Sequence, residues 1–418
     1  MSLSNRRQWL QSTLQTAVVA GGLSRFGWAA SPKREPLPVA AVVTEYRKNS
    51  HADVLVGKIL EGFDQQGGDG PDLKLVSLYT DQTPPKELSR SLAKKHGFQI
   101  CDTIQEALTL GSNTLQVAGV LSIGEHGDYP KTKDTGQKMY PRRRFFNDIT
   151  QTFHRAGRAV SVFNDKHLAY RLHDASHMVE TAHEMGFPLM AGSSIPVAWR
   201  RPPLVLPMGC EIEAALAIGY GGAEAYGFHA IEGLQCMIER RRGGESGVVS
   251  VQAVQDEQRW QAARAGRWSE ELFEAAMKCT PVELKPDWKT RIAKESPFYL
   301  FEHADGLKSC VAMANGVSRH FGFAAKLKGQ AEPVATWFEL QLDRPYGHFT
   351  YLLKAIEEMF HTGRASYPVE RTLLTTGILD YAMHSIAQDG RKFSTRDLNV
   401  TYQPVDWPFA NSADIERP

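Results

Sequence analysis

The stretch GRAVSVFNDKHLAYRLHDASHMVETAHEMGFPLMAGSSIPVAWR, residues 157–200, decides the fold. Ala159, Val160, Ser161, Val162 and Phe163 form a β-rich run, and the polar group Asn164, Asp165, Lys166, His167 breaks it. Leu172, Ala175, Met178, Val179, Ala182 and Met185 then recur at helical spacing. Gly186 stops that helix, and residues 188–192 read as the next strand. Strand, helix and strand in this order make one βαβ unit. Asp165, Lys166 and His167 then stand at the carboxyl end of its first strand, the edge of an open α/β sheet where ligands bind.

Toward the N-terminus the same rhythm continues. Residues 38–44, 73–79 and 117–123 read as strands, and residues 52–63, 87–96, 103–110 and 143–155 as helices. Alternation with short links predicts a doubly wound parallel sheet over residues 36–200. After Trp199-Arg200-Arg201-Pro202-Pro203 the rhythm changes. Strand patterns at 211–220, 247–254, 298–303, 308–314, 323–328 and 335–342 come mostly in series, and helical patterns sit at 230–238 and 268–277. Asp305-Gly306 and Asn315-Gly316 are turn dipeptides between them. This predicts an α+β domain over residues 201–390, with a largely antiparallel open sheet and closing helices at 349–360 and 369–387. Residues 391–418 read as a C-terminal tail.

The 418 residues exceed one ordinary core, and 42% hydrophobic with 23% charged residues is typical of a globular protein. A net charge of +1 gives no bulk field toward nucleic acid. Arg142-Arg143-Arg144 and Arg240-Arg241-Arg242 are short enough to be solvated faces or anion contacts. Five widely spaced cysteines, an odd number without zinc spacing, predict free thiols. Residues 1–35 carry Arg6-Arg7, an apolar run from Thr16 to Leu23 and small residues at Ala29, Ala30 and Ser31. That order resembles a twin-arginine export signal and implies a periplasmic or otherwise exported protein. The run is too short for a membrane span.

The order of elements, with Asp165-Lys166-His167 and Gly192-Ser193-Ser194, resembles the Gfo/Idh/MocA family of glucose–fructose oxidoreductases and inositol dehydrogenases. The resemblance covers roughly residues 38–390 and is most specific over 163–194. Residues 103–123 are similar to the family's short helix and fourth strand, and residues 368–382 to its final helix. His229, in Tyr226-Gly227-Phe228-His229-Ala230-Ile231-Glu232, matches the family's histidine that opens the helix under the substrate. The resemblance implies a Rossmann-like domain and an α+β substrate domain, an NAD(P) cofactor, and oxidoreductase chemistry on a small sugar or polyol. In it Lys166 hydrogen-bonds the reacting hydroxyl and His229 serves as acid or base.

The chain also departs from the family. Residues 44–51, the turn after the first strand, contain no glycine, whereas a pyrophosphate needs bare backbone at a helix N-terminus. Glu45, Tyr46 and Arg47 stand there instead. His167 replaces the proline of the family's Glu-Lys-Pro, and Ala225, beside Glu224, stands where an aspartate is common.

Lys166, His167, His229, His126 and Glu125 are the candidate acids, bases and electrostatic clamps. Asp81, Asn49, Ser50 and His51 are the candidates at a cofactor, Asp81 toward its ribose. Asp128, Tyr129, Trp199 and Arg200 are candidates at a substrate. Glu125, His126 and Asp128 do not have the spacing of a metal motif, so no metal is expected. His173, His177, Glu180 and His183 share a helix that packs outside the sheet and read as solvated surface. Three functions stay open: the oxidoreductase, a non-redox lyase, hydrolase or isomerase on the same scaffold, and a non-catalytic carbohydrate-binding protein. An exposed open sheet would also give two copies a face on which to pair.

Overall fold

The computed structural model describes residues 34–414. The export-signal expectation for residues 1–35 therefore lies almost wholly outside the described residues.

The first half runs β1 (Leu37–Val43), α1 (His51–Glu61), β2 (Leu73–Thr80), α2 (Ser89–His96), β3 (Gln99–Cys101), α3 (Ile104–Thr109), β4 (Gly119–Ile123), α4 (Arg142–Ala156), β5 (Ser161–Asp165), α5 (Leu172–Met185) and β6 (Leu189–Gly192). Its six strands are all parallel in the order β3-β2-β1-β4-β5-β6. β4 and β5 are buried along their whole length, as strands covered on both faces must be. Gly186 ends α5 at φ 68°, a left-handed cap that returns the chain toward β6. The order reverses between β1 and β4, which makes their carboxyl ends the switch point of the sheet. β5 runs further than its hydrophobic pattern suggests: Asn164 and Asp165 belong to the strand and are buried.

The second half runs β7 (Trp199–Arg201), β8 (Ile212–Gly219), α6 (Ala225–Ile238), β9 (Val248–Val254), α7 (Asp256–Arg264), α8 (Glu270–Cys279), α9 (Trp288–Arg291), β10 (Phe298–His303), β11 (Lys308–Met313), β12 (Phe321–Leu327), β13 (Val334–Glu339), α10 (Gly347–Thr362), α11 (Val369–Ala387) and β14 (Phe393–Ser394). Its sheet has the order β14-β9-β10-β11-β8-β12-β13-β7 and is antiparallel except between β8 and β11. α6 and α11 cover one face, with Phe228, Ile231, Leu374 and Ile378 in its core. α7, α8 and α9 cover the other, with Trp268, Phe273, Met277 and Trp288 against Leu216, Phe298 and Leu300. Helices of the chain thus pack on both faces of this sheet.

Chain order and spatial order part company in two places. α10 follows the second sheet in sequence but lays Leu352, Leu353, Ile356 and Met359 on the first, beside α1. Residues 391–414, expected as a tail, are built into the body. β14 extends the second sheet at β9, Phe409 enters the core of the first, and Asn411 pairs with both backbone groups of Arg200. No helix among the described residues is long and apolar enough to cross a membrane.

Candidate active site

Lys166 follows β5 directly and has φ 61°, a left-handed conformation uncommon outside glycine. Its N–H donates to Gly192 O at 3.0 Å, which ties the turn to the end of β6. Its ammonium donates to Glu125 Oε1 at 2.9 Å, from the loop after β4. The other Glu125 oxygen accepts from Arg142 Nη2 at 2.5 Å, and Arg142 Nη1 lies 2.9 Å from His167 Nε2. All four residues are buried, Arg142 completely. Burial alone would raise the Glu125 carboxyl, but Lys166, Arg142 and the nearby imidazoles outweigh it and hold the pKa well below the ordinary range. Guanidinium only donates, so His167 Nε2 accepts and the ring proton resides on Nδ1. Burial, then Arg142, pushes the His167 pKa well below its ordinary value and keeps the ring neutral.

A second pair stands beside this chain of ions. His51, the first residue of α1, places Nδ1 2.7 Å from Asp165 Oδ2. Asp165 is fully buried, and its Oδ1 has no partner among the described residues. The His51 ring meets His126 and Phe349 edge-on, each with centroids 5.3 Å apart. His126 has φ 73°; its Nδ1 lies 3.1 Å from Arg47 Nη2, and its Nε2 is without a partner among the described residues. Burial, then His51, pushes the His126 pKa down to about 3. His229, in the first turns of α6, has a buried Nδ1 without a partner among the described residues. Burial, then Lys166 and His51, lowers its pKa well below the ordinary value.

The structure therefore brings Lys166, Glu125, His126, His167, His229 and His51 together. It adds Asp165 and Arg142, and it supplies Glu232 as a clamp. Glu232, one turn beyond His229 on α6, accepts from the Ser193 N–H at 3.1 and 2.9 Å and from its hydroxyl. Burial raises the Glu232 pKa to about 7. Thr372 and Thr376 of α11 bind Ala191 O and the Leu168 N–H, so the loops after β5 and β6 are held from both sides.

The fold family implies a dinucleotide, which needs bare backbone and free N–H groups where β1 meets α1. Thr44, Glu45 and Tyr46 are buried there, Tyr46 completely. Thr44 Oγ1 donates to Glu125 O at 2.6 Å, bridging β1 to β4 across the switch point. Ser50 Oγ accepts the Asp53 N–H and the Asp53 carboxylate accepts the Asn49 N–H, so the helix start already holds its own carboxylate. Asp81 accepts from Tyr79 and Arg144 at Oδ1 and from Tyr129 at Oδ2, at 2.6–2.7 Å. In this arrangement these side chains, and the N–H groups of Asn49 and Asp53, are bound to one another. Of the residues expected at the cofactor, Asp81 is bonded to two phenols and a guanidinium, Asn49 is an exposed turn residue, Ser50 caps α1 and His51 is the partner of Asp165.

The substrate candidates do not converge either. The Asp128 side chain is fully exposed and Tyr129 is bound to Asp81. Trp199 sits edge-on to Tyr351 in β7. Arg200 is buried over the Phe409 ring at 3.8 Å, with its guanidinium on Pro196 O and Leu204 O. Of the basic clusters, Arg142, Arg240 and Arg241 are not solvated but buried against carboxylates. Arg241 is held by Glu245 and Asp305. His173, His177, Glu180 and His183 are exposed on α5. Among the described residues no group of three or more His, Cys, Asp or Glu side chains is arranged to hold a metal ion. Two shallow surface hollows, of about 540 and 360 Å³, lie against α7–α9, and the cluster lines neither.

A parallel six-stranded sheet of the dehydrogenase-type fold joined to a mostly antiparallel one, with a buried cluster of ionisable side chains at the switch point, is the class that fold and site define. Solved structures with this fold include GenD2 from gentamicin A biosynthesis in complex with NAD, 14% identical with a TM-score of 0.54, covering 87% of this chain and 97% of that one. The apo scyllo-inositol dehydrogenase of Lactobacillus casei is 9% identical with a TM-score of 0.53, covering 87% and 99%. A myo-inositol dehydrogenase of Corynebacterium glutamicum is 12% identical with a TM-score of 0.51, covering 86% and 98%. At these identities the likeness is one of fold. No protein-family model and no curated protein matches the chain.

Proposed function

We propose that the chain is an exported acid–base enzyme acting on a small sugar or polyol derivative, a divergent Gfo/Idh/MocA protein whose reaction moves protons rather than hydride. The observation that carries this reading is the convergence of Lys166 and Glu125 with His51, His126 and His229 at the carboxyl edge of the first sheet. A fixed ammonium stabilises an oxyanion as it develops, and neutral imidazoles beside it accept or return a proton. That combination suits a lyase or isomerase working at a carbon next to a carbonyl. Membership in the family is supported by the fold and by Asp165-Lys166-His167, Gly192-Ser193-Ser194 and His229 at matching places. Export is supported by Arg6-Arg7 and the short apolar run after them.

Proton exchange tests this whatever the product is. Keto sugars, sugar acids and oxidised polyols are incubated with the protein in deuterium oxide, and loss of C–H signal is followed by proton NMR. Deuterium is expected to wash into at least one class, and Lys166→Ala is expected to slow it by about a hundredfold or more. A panel without exchange, or exchange untouched in Lys166→Ala, removes the reading. A second reading, an NAD(P)-dependent oxidoreductase, is favoured by the NAD complex of GenD2. Micromolar binding of NADH or NADPH, read by fluorescence, would put it first.

A further inference from the structure

We propose that His51 is the proton-transfer group of this site and that Asp165 is its positioning residue, so that an imidazole takes the place at the head of the first helix where this fold otherwise receives a pyrophosphate. The inference rests on the acid–base reading above and adds the identity of the base.

Five observations carry it. His51 opens α1 beside the switch point, between the ends of β1 and β4, where a ligand in an open α/β sheet is held. Its Nδ1 meets Asp165 Oδ2 at 2.7 Å, and an ionised carboxylate can only accept. In the tautomer that donates to Asp165, the ring carries its proton on Nδ1 and presents the lone pair of Nε2. This is the division of labour in which a buried carboxylate sets the tautomer and stabilises the imidazolium that forms. Asp165 is completely buried at the end of a central strand, and its other carboxylate oxygen has no partner among the described residues, so His51 is the one hydrogen-bonded partner of that carboxylate there. His126 and Phe349 fix the ring plane from two sides. The His51 side chain keeps 15% of its surface exposed, unlike His167.

The proton balance is simple. Nε2 takes a proton from a carbon or hydroxyl of the substrate, the electron pair stays on the substrate as an enolate or alkoxide beside the Lys166 ammonium, and the proton returns from Nε2 to the product. No oxidant or reductant is consumed.

The test uses the full chain. Two-bond nitrogen–proton NMR of the histidine rings is expected to show His51 as the Nδ1–H tautomer, with His51→Gln identifying the signal. Diethyl pyrocarbonate at pH 7, mapped by mass spectrometry, is expected to modify His51 before His126 and His167. Asp165→Asn is expected to slow that modification about tenfold. An Nε2–H tautomer, or labelling of His51 no faster than of buried His167, overturns the proposal even if Asp165→Asn fails to fold. The two readings fail separately. Deuterium wash-in that persists undiminished in His51→Gln removes His51 and leaves proton transfer standing. A silent wash-in panel removes proton transfer while the tautomer and labelling results remain.

Discussion

Arg142 donates to a carboxylate with one arm and to an imidazole with the other, and it does so fully buried. Removing it leaves the Glu125 charge buried with Lys166 alone. Breaking such a buried pair costs about 3–5 kcal/mol, far more than the pair adds over an apolar substitute. Arg142→Met should therefore lower the stability of the chain by that order in urea unfolding, whereas Arg143→Met should change it by less than about 0.5 kcal/mol. The contrast was partly legible in the sequence. Position 142 lies three and four residues before Phe145 and Phe146, on the stripe continued by Ile149 and Phe153, all of them buried. A run of three arginines hides that phase, because charge suggests solvent at each position alike. That Lys166, Glu125 and His126 lie near one another was legible because they follow the carboxyl ends of β4 and β5, which are neighbouring strands. Asp165 as the partner of His51 was not, because the two lie 114 residues apart and only the finished sheet sets them side by side.

At the scale of elements, the start of α1 shows how one short turn changes its purpose. Ser50 caps the helix through its hydroxyl, and the Asp53 carboxylate closes the turn back onto Asn49. Ser50→Ala should cost about 1 kcal/mol, read as a fall in thermal midpoint, and should also loosen His51, the next residue. Long elements with a clear period are legible in the sequence to within a few residues: α4, α5, α11 and the strands β10 to β13 are examples. The segments that escaped were β3, β7, β14, α7 and α9. Most of these have two to four residues, too few to show a period, and β7 and β14 exist because a neighbouring strand edge takes them up. α7 is long enough, but its hydrophobic side is narrow: Trp260, Ala262 and Ala263 are its apolar contributions to the core it covers.

The whole molecule holds several imidazoles neutral inside itself, and this sets its response to acid. His126 and His348 are each pushed down to about 3, chiefly by burial. Below the ordinary histidine value the unfolded chain binds a proton at each site and the folded chain does not. Stability is thus complete above pH 6.5 and falls as pH drops, by about 1.4 kcal/mol per unit for each ring. Glu232 works the other way: its raised pKa lets the folded chain keep a proton that the unfolded chain loses above about pH 4.5, so it favours folding as pH falls from about 7. One carboxyl does not offset two rings, so urea midpoints should decline from pH 6.5 to 5, and His348→Gln should flatten the decline by about 1.4 kcal/mol per unit. A decline that is the same in His348→Gln would mean that His348 takes up its proton in the folded chain. Such coupling across the body also explains what chain order concealed. α10 and the last described residues return to the first sheet, so division by sequence into an earlier and a later half does not describe the packing.

The helices over the outer face of the second sheet gather Trp260, Trp268 and Trp288, with ring centroids 5.9 and 5.8 Å apart around Trp260. Indoles at that separation exchange excitation, and their shared near-ultraviolet dichroism differs from that of isolated rings. The protein thus contains an unlabelled optical gauge on one face of its second sheet. Detachment of that cover can be timed by light against events at the histidines.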